Sequence, residues 1–211
     1  MEIIEKAKKK NEHLKEIGIY EIISLVFSMA FAFYNFYLGV FHRIIWNFSV
    51  SFYCFLILLA KTVSIIALFG ARKENKEFPK NIFIFVSILL VLVTLAMIIP
   101  ANLMLKNYRK INIGTFPIII IACFVVARVC YLIHLFITLN NEFSLFYQLK
   151  IALNISATIF SLLTLQNTIM FINGSASEKT ILLSTISTNI LLILAFVISI
   201  FSLIKGINHT K

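Results

Sequence analysis

Six uninterrupted apolar runs fill most of the chain, at approximately 17–40, 46–70, 81–105, 113–138, 149–172 and 181–204. Each is about as long as the roughly 20 residues a helix needs to cross a hydrocarbon core about 30 Å thick. Lipid offers the backbone no hydrogen-bond partner, so runs of this kind must be helical, and they are too long and continuous for barrel strands. Composition points the same way. Of the 211 residues, 60% are hydrophobic and only 13% are charged, about half the charged share that a soluble domain uses to face water. The expected fold is all-α, a polytopic transmembrane six-helix bundle over 17–204. A charged lead-in (1–16) precedes it and a short tail (205–211) follows, with no room for a separate soluble domain.

The net charge of +10 would raise the question of nucleic acid in a soluble protein. Here the basic residues sit between apolar spans without aromatic-basic interleaving, so no nucleic-acid partner is expected. The partner they address is the lipid bilayer. Twelve lysines and arginines fall on one side: those of the lead-in, Arg72, Lys73, Lys76, Lys80, Lys150, Lys205 and Lys211. Five fall on the other: Arg43, Lys106, Arg109, Lys110 and Lys179. The positive-inside rule then places both termini in the cytoplasm of a multi-pass cell-membrane protein. The lead-in carries four glutamates before the first apolar run, unlike a cleavable signal peptide. It reads as a helix with Ile3, Ile4, Ala7 and Leu14 as a weak apolar face.

Much chemistry is excluded. All nine acidic residues are glutamates, which removes aspartate-based intramembrane proteolysis, aspartyl-phosphate formation and aspartate-held Mg²⁺. Cys54, Cys123 and Cys130 form no C-x-x-C pair and lie inside spans, so they read as small buried hydrophobes and not as a disulfide framework or zinc site. H-E-x-x-H, G-x-S-x-G and Walker A patterns are missing. An enzyme is not expected, and neither a cofactor nor a metal site is indicated.

Two basic residues within spans are the sharpest features. Lys61 and Arg128 each lie nine or ten residues from the cytoplasmic end of their runs. A charge at a helix centre costs about 2.5–3.5 kcal/mol on insertion scales and usually faces a bundle interior or an aqueous cavity. They form either a cationic site for an anionic solute or headgroup, or a pair of snorkelling side chains whose stems carry the charge to the interface. Glu21, the one acid within a span, is a candidate partner for either. The fifth span is conspicuously polar, with Asn154, Ser156, Thr158, Ser161, Thr164, Gln166, Asn167 and Thr168. Small polar residues allow close helix contacts in membranes; alternatively this face lines a hydrated path, with Gln166 and Asn167 together as ligands. Pro100 is placed to bend the third span or free a carbonyl, whereas Pro117 sits in the first turn of the fourth, where proline is tolerated. His42, Arg43 and Trp46 read as an outer-interface cluster.

A spacing near 67 residues suggests a threefold repeat of helical hairpins. LLAKTVSII (58–66), VVARVCYLI (125–133) and ILAFVISIF (193–201) align Ala60, Ala127 and Ala195, and the preceding spans carry Asn35, Asn102 and Asn167 near their outer ends. Such repeats in transporters place the site at their interface near mid-membrane.

The segment SLLTLQNTIMFING (161–174) with SLIKG (202–206) resembles uncharacterised six-span membrane proteins of low-GC bacteria, a resemblance that implies six spans and no activity. The chain lacks the P-x-[DE]-x-x-[KR] motifs of mitochondrial carriers. Three functions are carried forward. The first is a small transporter or channel for an anionic or polar solute, lined by the fifth span, Lys61 and Arg128. The second is a membrane subunit or sensor whose polar helix faces bind a second copy or partner helices. The third is an intramembrane enzyme acting on lipid.

Overall fold

The computed structural model describes residues 2–73, 78–106, 115–138, 145–173 and 178–208. They form α1 (Glu2–Phe41), α2 (Ile45–Lys73), α3 (Lys80–Ala96), α4 (Ile98–Lys106), α5 (Phe116–Thr138), α6 (Leu145–Asn173) and α7 (Glu178–Asn208), with no strand among the described residues. Among the described residues six stretches are long and apolar enough to cross a membrane: Ile22–Phe41, Ile45–Ala71, Lys80–Leu103, Phe116–Ile137, Leu145–Met170 and Lys179–Asn208. The protein is therefore a multi-pass, all-α integral membrane protein. Its outer surface agrees, because Val26, Phe52, Ile66, Phe85, Leu92, Val126, Ile133, Leu183, Ile190 and Phe201 all point outwards. Leaving apolar area in water forfeits about 25 cal/mol per Å², whereas hydrocarbon imposes no such cost.

One helix is the hub. The span on α6 is 72% buried, against 22–39% for the other five. It packs against α2, α3, α5 and α7, while α1 lies on α2 and α3 lies on α7. The polar run of the fifth span thus occupies the centre of the bundle. Its hydroxyls are largely spent locally: Thr158, Ser161, Thr164 and Thr168 donate to the carbonyls of Asn154, Ala157, Phe160 and Thr164 at 2.7–2.8 Å. Small side chains that satisfy themselves on their own helix let four neighbours approach closely.

Two close approaches fix the hairpins. A Cβ on Gly39 would lie 2.6 Å from the backbone nitrogen of Phe48, so α1 and α2 touch backbone to backbone near their turn. Within that turn Arg43 adopts a left-handed φ of 53°, and the Ile44 amide donates to the Gly39 carbonyl at 3.1 Å. Beyond the turn, Asn47 Nδ2 donates to Asn35 Oδ1 at 2.8 Å between buried side chains. A Cβ on Gly206 would run into the ring of Phe83, which brings α7 onto α3; nearby the Ser87 and Ser202 hydroxyls bond at 3.0 Å. The third span is interrupted at Met97, between α3 and α4. Pro100 has no amide proton to offer the Ala96 carbonyl, so the ladder is open at this point.

The threefold repeat is not reproduced in the packing. Asn35 and Asn167 are buried, but Asn102 is exposed and donates to the Ile98 carbonyl of its own helix. Ala60 and Ala195 are buried, whereas Ala127 is exposed. The middle pair does not form a hairpin like the others: among the described residues α3 packs on α7 and α5 on α6, without extended contact between α3 and α5. Alignment of apolar runs rich in the same few residues carries little information about which face of each helix turns inwards.

Gly39→Leu should force α1 from α2, because the obstructing atoms are backbone and cannot rotate away. Overpacking of this kind typically costs about 1–3 kcal/mol. In detergent the variant should unfold at a lower temperature, while Gly70→Leu, where nothing lies within 4 Å, should unfold like the parent chain.

Candidate functional site

The register of the helices gives the depth of each polar group. Lys61 lies sixteen residues from Ile45 at the far end of α2, about 24 Å of helical rise. Its Nζ donates to Ser24 Oγ at 3.0 Å and to Asn154 Oδ1 at 2.7 Å. Those two partners are seventeen residues from Phe41 and sixteen from Met170, or about 26 and 24 Å. Three helices thus agree that Lys61 lies near the boundary on the side of the termini. Measuring from the near end of its apolar run places Lys61 deeper, because α2 continues beyond the hydrocarbon. Lys61 is nonetheless buried, with Asn154 held by its own bond to the Lys150 carbonyl at 2.8 Å. Lys150, one turn before Asn154, is buried as well.

Arg128 lies at a different level. It is twelve residues from Phe116, about 18 Å, and its guanidinium carbon sits 5.2 Å from the centre of the Phe31 ring. Phe31 is ten residues from Phe41, about 15 Å, the middle of a core about 30 Å thick. A cation over an aromatic face is attracted by the ring quadrupole. Arg128 is 7% exposed, and its Nε has no hydrogen-bond partner. It forms one wall of a cavity of about 200 Å³ together with Ile23, Ser24, Phe27, Ser28, Ala127, Tyr131, Asn154 and Thr158. Ile23 and Ala127 also face outwards, so the cavity reaches the flank between α1 and α5. Above it the two helices are joined by the Phe124 ring, edge-on to Phe27 and Phe31 at 4.7 and 5.2 Å.

Two further features flank the cavity among the described residues. Towards the termini, beyond Lys61, only about 10 Å³ is open among Ser64, Ile65, Phe146, Lys150 and Leu153, which is about one water. Towards the far side, Tyr53 stacks on Phe160 with ring centres 3.9 Å apart. Tyr53 also lines a second, apolar cavity of about 380 Å³ that extends to Met97 and Pro100.

The sequence candidates therefore separate. Asn154 and Arg128 border one cavity from two levels, and Lys61 reaches it only through its bonds to Ser24 and Asn154. The Glu21 side chain lies outside the described residues; its position on α1 is three residues before Ser24 and ten before Phe31. Gln166 and Asn167 do not act together, because consecutive helical positions do not share a face. Gln166 Nε2 lies 2.7 Å from both Ser184 Oγ and Ser187 Oγ and so ties α6 to α7. Asn167 turns inwards, 1% exposed, with neither amide atom partnered. Asn35 is bonded to Asn47 and to the Phe31 carbonyl. Sequence reasoning missed Ser24 and Tyr53; each is an ordinary residue in an apolar run whose facing only the packing reveals. No family model, curated protein or solved structure matches this chain.

Asn154→Leu should leave the buried Lys61 ammonium short of an acceptor. Losing a hydrogen bond to a charged group costs about 1.5–3 kcal/mol. Thermal unfolding in detergent should register that loss, whereas Asn102→Leu, at an exposed site, should not.

Proposed function

We propose that this membrane protein is a small carrier for an anionic solute, with Arg128 as the binding charge and Lys61 as a second cation nearer the terminal side. The observation that carries this reading is Arg128 itself: buried at mid-span, Nε without a partner, and facing a cavity. Desolvating a guanidinium is expensive. A chain that needed only structure at this position would be better served by a methionine or leucine. An anion in the cavity would offset the cost, and 200 Å³, below the roughly 300–1,000 Å³ of common ligand pockets, suits a small acid or a single headgroup. A cavity of this size that opens sideways between α1 and α5 fits a carrier better than a continuous channel.

The subunit reading expects an exposed polar fifth span to engage a partner. The central position of α6 weighs against it. The lateral opening between α1 and α5 favours one variant of the carrier, in which the anion belongs to a lipid. Both termini are assigned to the cytoplasm in this proposal, on the twelve-to-five count of basic residues.

Arg128→Met should abolish anion-dependent flux into liposomes while unfolding at the same or a higher temperature, since a buried charge has been replaced by an apolar side chain of similar length. Flux equal to that of the parent chain would sink the assignment. A variant that no longer elutes as a single species would show Arg128 to be structural.

A further inference from the structure

The cavity beside Arg128 lies in one half of the membrane and opens sideways. The far ends of its three spans, at Phe41, Phe116 and Met170, give a common reference for depth. From there its wall runs from Ala127, eleven residues in, to Ile23, eighteen residues in. Those positions are about 17 and 27 Å of helical rise from the far boundary of a core about 30 Å thick. The other lining residues fall between them, with Ser28 at about 20 Å and Tyr131 at about 22 Å. The cavity therefore belongs to the leaflet on the side of the termini, from mid-core almost to the headgroup level. On its far side the Phe124 ring, edge-on to Phe27 and Phe31, bridges α1 and α5. The lips of the opening are apolar: Ile23 and Val26 on α1 and Val126 on α5 are 56–63% exposed. The floor is polar, with Ser24, Ser28, Asn154 and Thr158 buried and Arg128 Nε lacking a partner. An apolar mouth over a cationic floor is complementary to a molecule divided in the same way.

Building on the carrier reading, we infer that the anion is the phosphate or carboxylate head of an amphiphile. It enters from the leaflet on the side of the termini and leaves its acyl chain in the lipid beside Ile23, Val26 and Val126. A free anion reaching this mouth would first have to shed its water in hydrocarbon, and a single buried cation offsets only part of that penalty. The head of a lipid starts at the interface, near the level of Ile23, and passes Ser24 and Ser28 on its way to Arg128. Its chain stays throughout in the hydrocarbon that already surrounds it, so no apolar surface meets water. Volume points the same way. At about 200 Å³ the cavity is smaller than the roughly 300–1,000 Å³ of pockets that enclose a whole ligand, so it holds the head and leaves the rest outside. A guanidinium offers parallel N–H groups that match two oxygens of either kind of head. The Phe124 bridge between α1 and α5 limits further travel along the flank, so the head stops beside Arg128.

The test titrates the full chain, purified in dodecyl maltoside, with oleoyl lysophosphatidic acid and with oleate at constant ionic strength. Each is compared with its tailless counterpart, glycerol phosphate or acetate, and with uncharged monoolein. At least one of the two anionic amphiphiles should bind tenfold or more tightly than its tailless counterpart and than monoolein. Arg128→Met should reduce that binding to the level of monoolein. Ala127→Trp, which sets an indole in the mouth from an exposed position, should weaken it tenfold or more without lowering the unfolding temperature. Ile23→Trp, on the opposite lip, should do the same, and decides the matter if the first variant does not elute as a single species. If glycerol phosphate or acetate binds through Arg128 as tightly as the amphiphile, or if the tryptophan variants bind the amphiphile as the parent does, sideways uptake is wrong and the carrier reading survives. If no anion, with or without a tail, binds in an Arg128-dependent way, both proposals fall.

Discussion

A polar side chain inside a membrane must find its partner within the protein, because hydrocarbon supplies none. In this bundle that requirement divides the polar residues of the core into two groups. Thr158, Ser161, Thr164 and Thr168 return their protons to α6 itself, and Gln166, Asn35 and Ser87 tie one helix to the next. These bonds allow a helix as polar as α6 to occupy the centre, and its small side chains let four neighbours close around it. A second group, which includes Arg128 Nε, the Asn167 amide and the Tyr53 hydroxyl, is buried without a partner. Structure and candidate chemistry thus follow from the same rule, one by obeying it and the other by departing from it.

Depth separates the two intramembrane cations, which look equivalent along the sequence. Lys61 reaches acceptors on α1 and α6 near one boundary, where a lysine is tolerable and its ammonium can exchange with the polar interface. Arg128 has no such recourse. At about 18 Å from the opposite end of its helix, it lies too deep to reach water along its own stem, and the Phe31 face compensates only part of the lost hydration. The resulting gradient, with a satisfied cation at the edge and an unsatisfied one at the centre, would draw an anion inwards.

The six spans and their helical nature were legible in the sequence because they follow from length and solvent alone, and hydrocarbon admits few alternatives. Lys61, Arg128 and Asn154 were legible because charged and amide side chains are conspicuous against leucine and isoleucine. What could not be read was facing. Asn102 and Asn167 occupy matching places in the proposed repeat, yet one looks outwards and the other inwards. Gln166 and Asn167 are adjacent in the chain, yet one ties α6 to α7 and the other is buried with its amide unpartnered. In a soluble helix the polar stripe marks the solvent side, but α6 has polar residues around much of its circumference, so no stripe exists to read. Ser24 and Tyr53 were invisible for a related reason: single hydroxyls in apolar runs are common, and only the packing shows which way they turn.

Arg128 is carried by the span with the smallest buried share, 22%. Among the described residues α5 has extended contact with α6 only, and it meets α1 through the Phe124 ring and through Arg128 over Phe31. Sliding or tilting this helix as a rigid rod would disrupt little packing compared with displacing any other span, and would leave the α1–α2 and α3–α7 pairs untouched. The charge is therefore mounted on the bundle's loosest lever, where a shift of one helical turn would relocate the guanidinium by about 5.4 Å relative to α6.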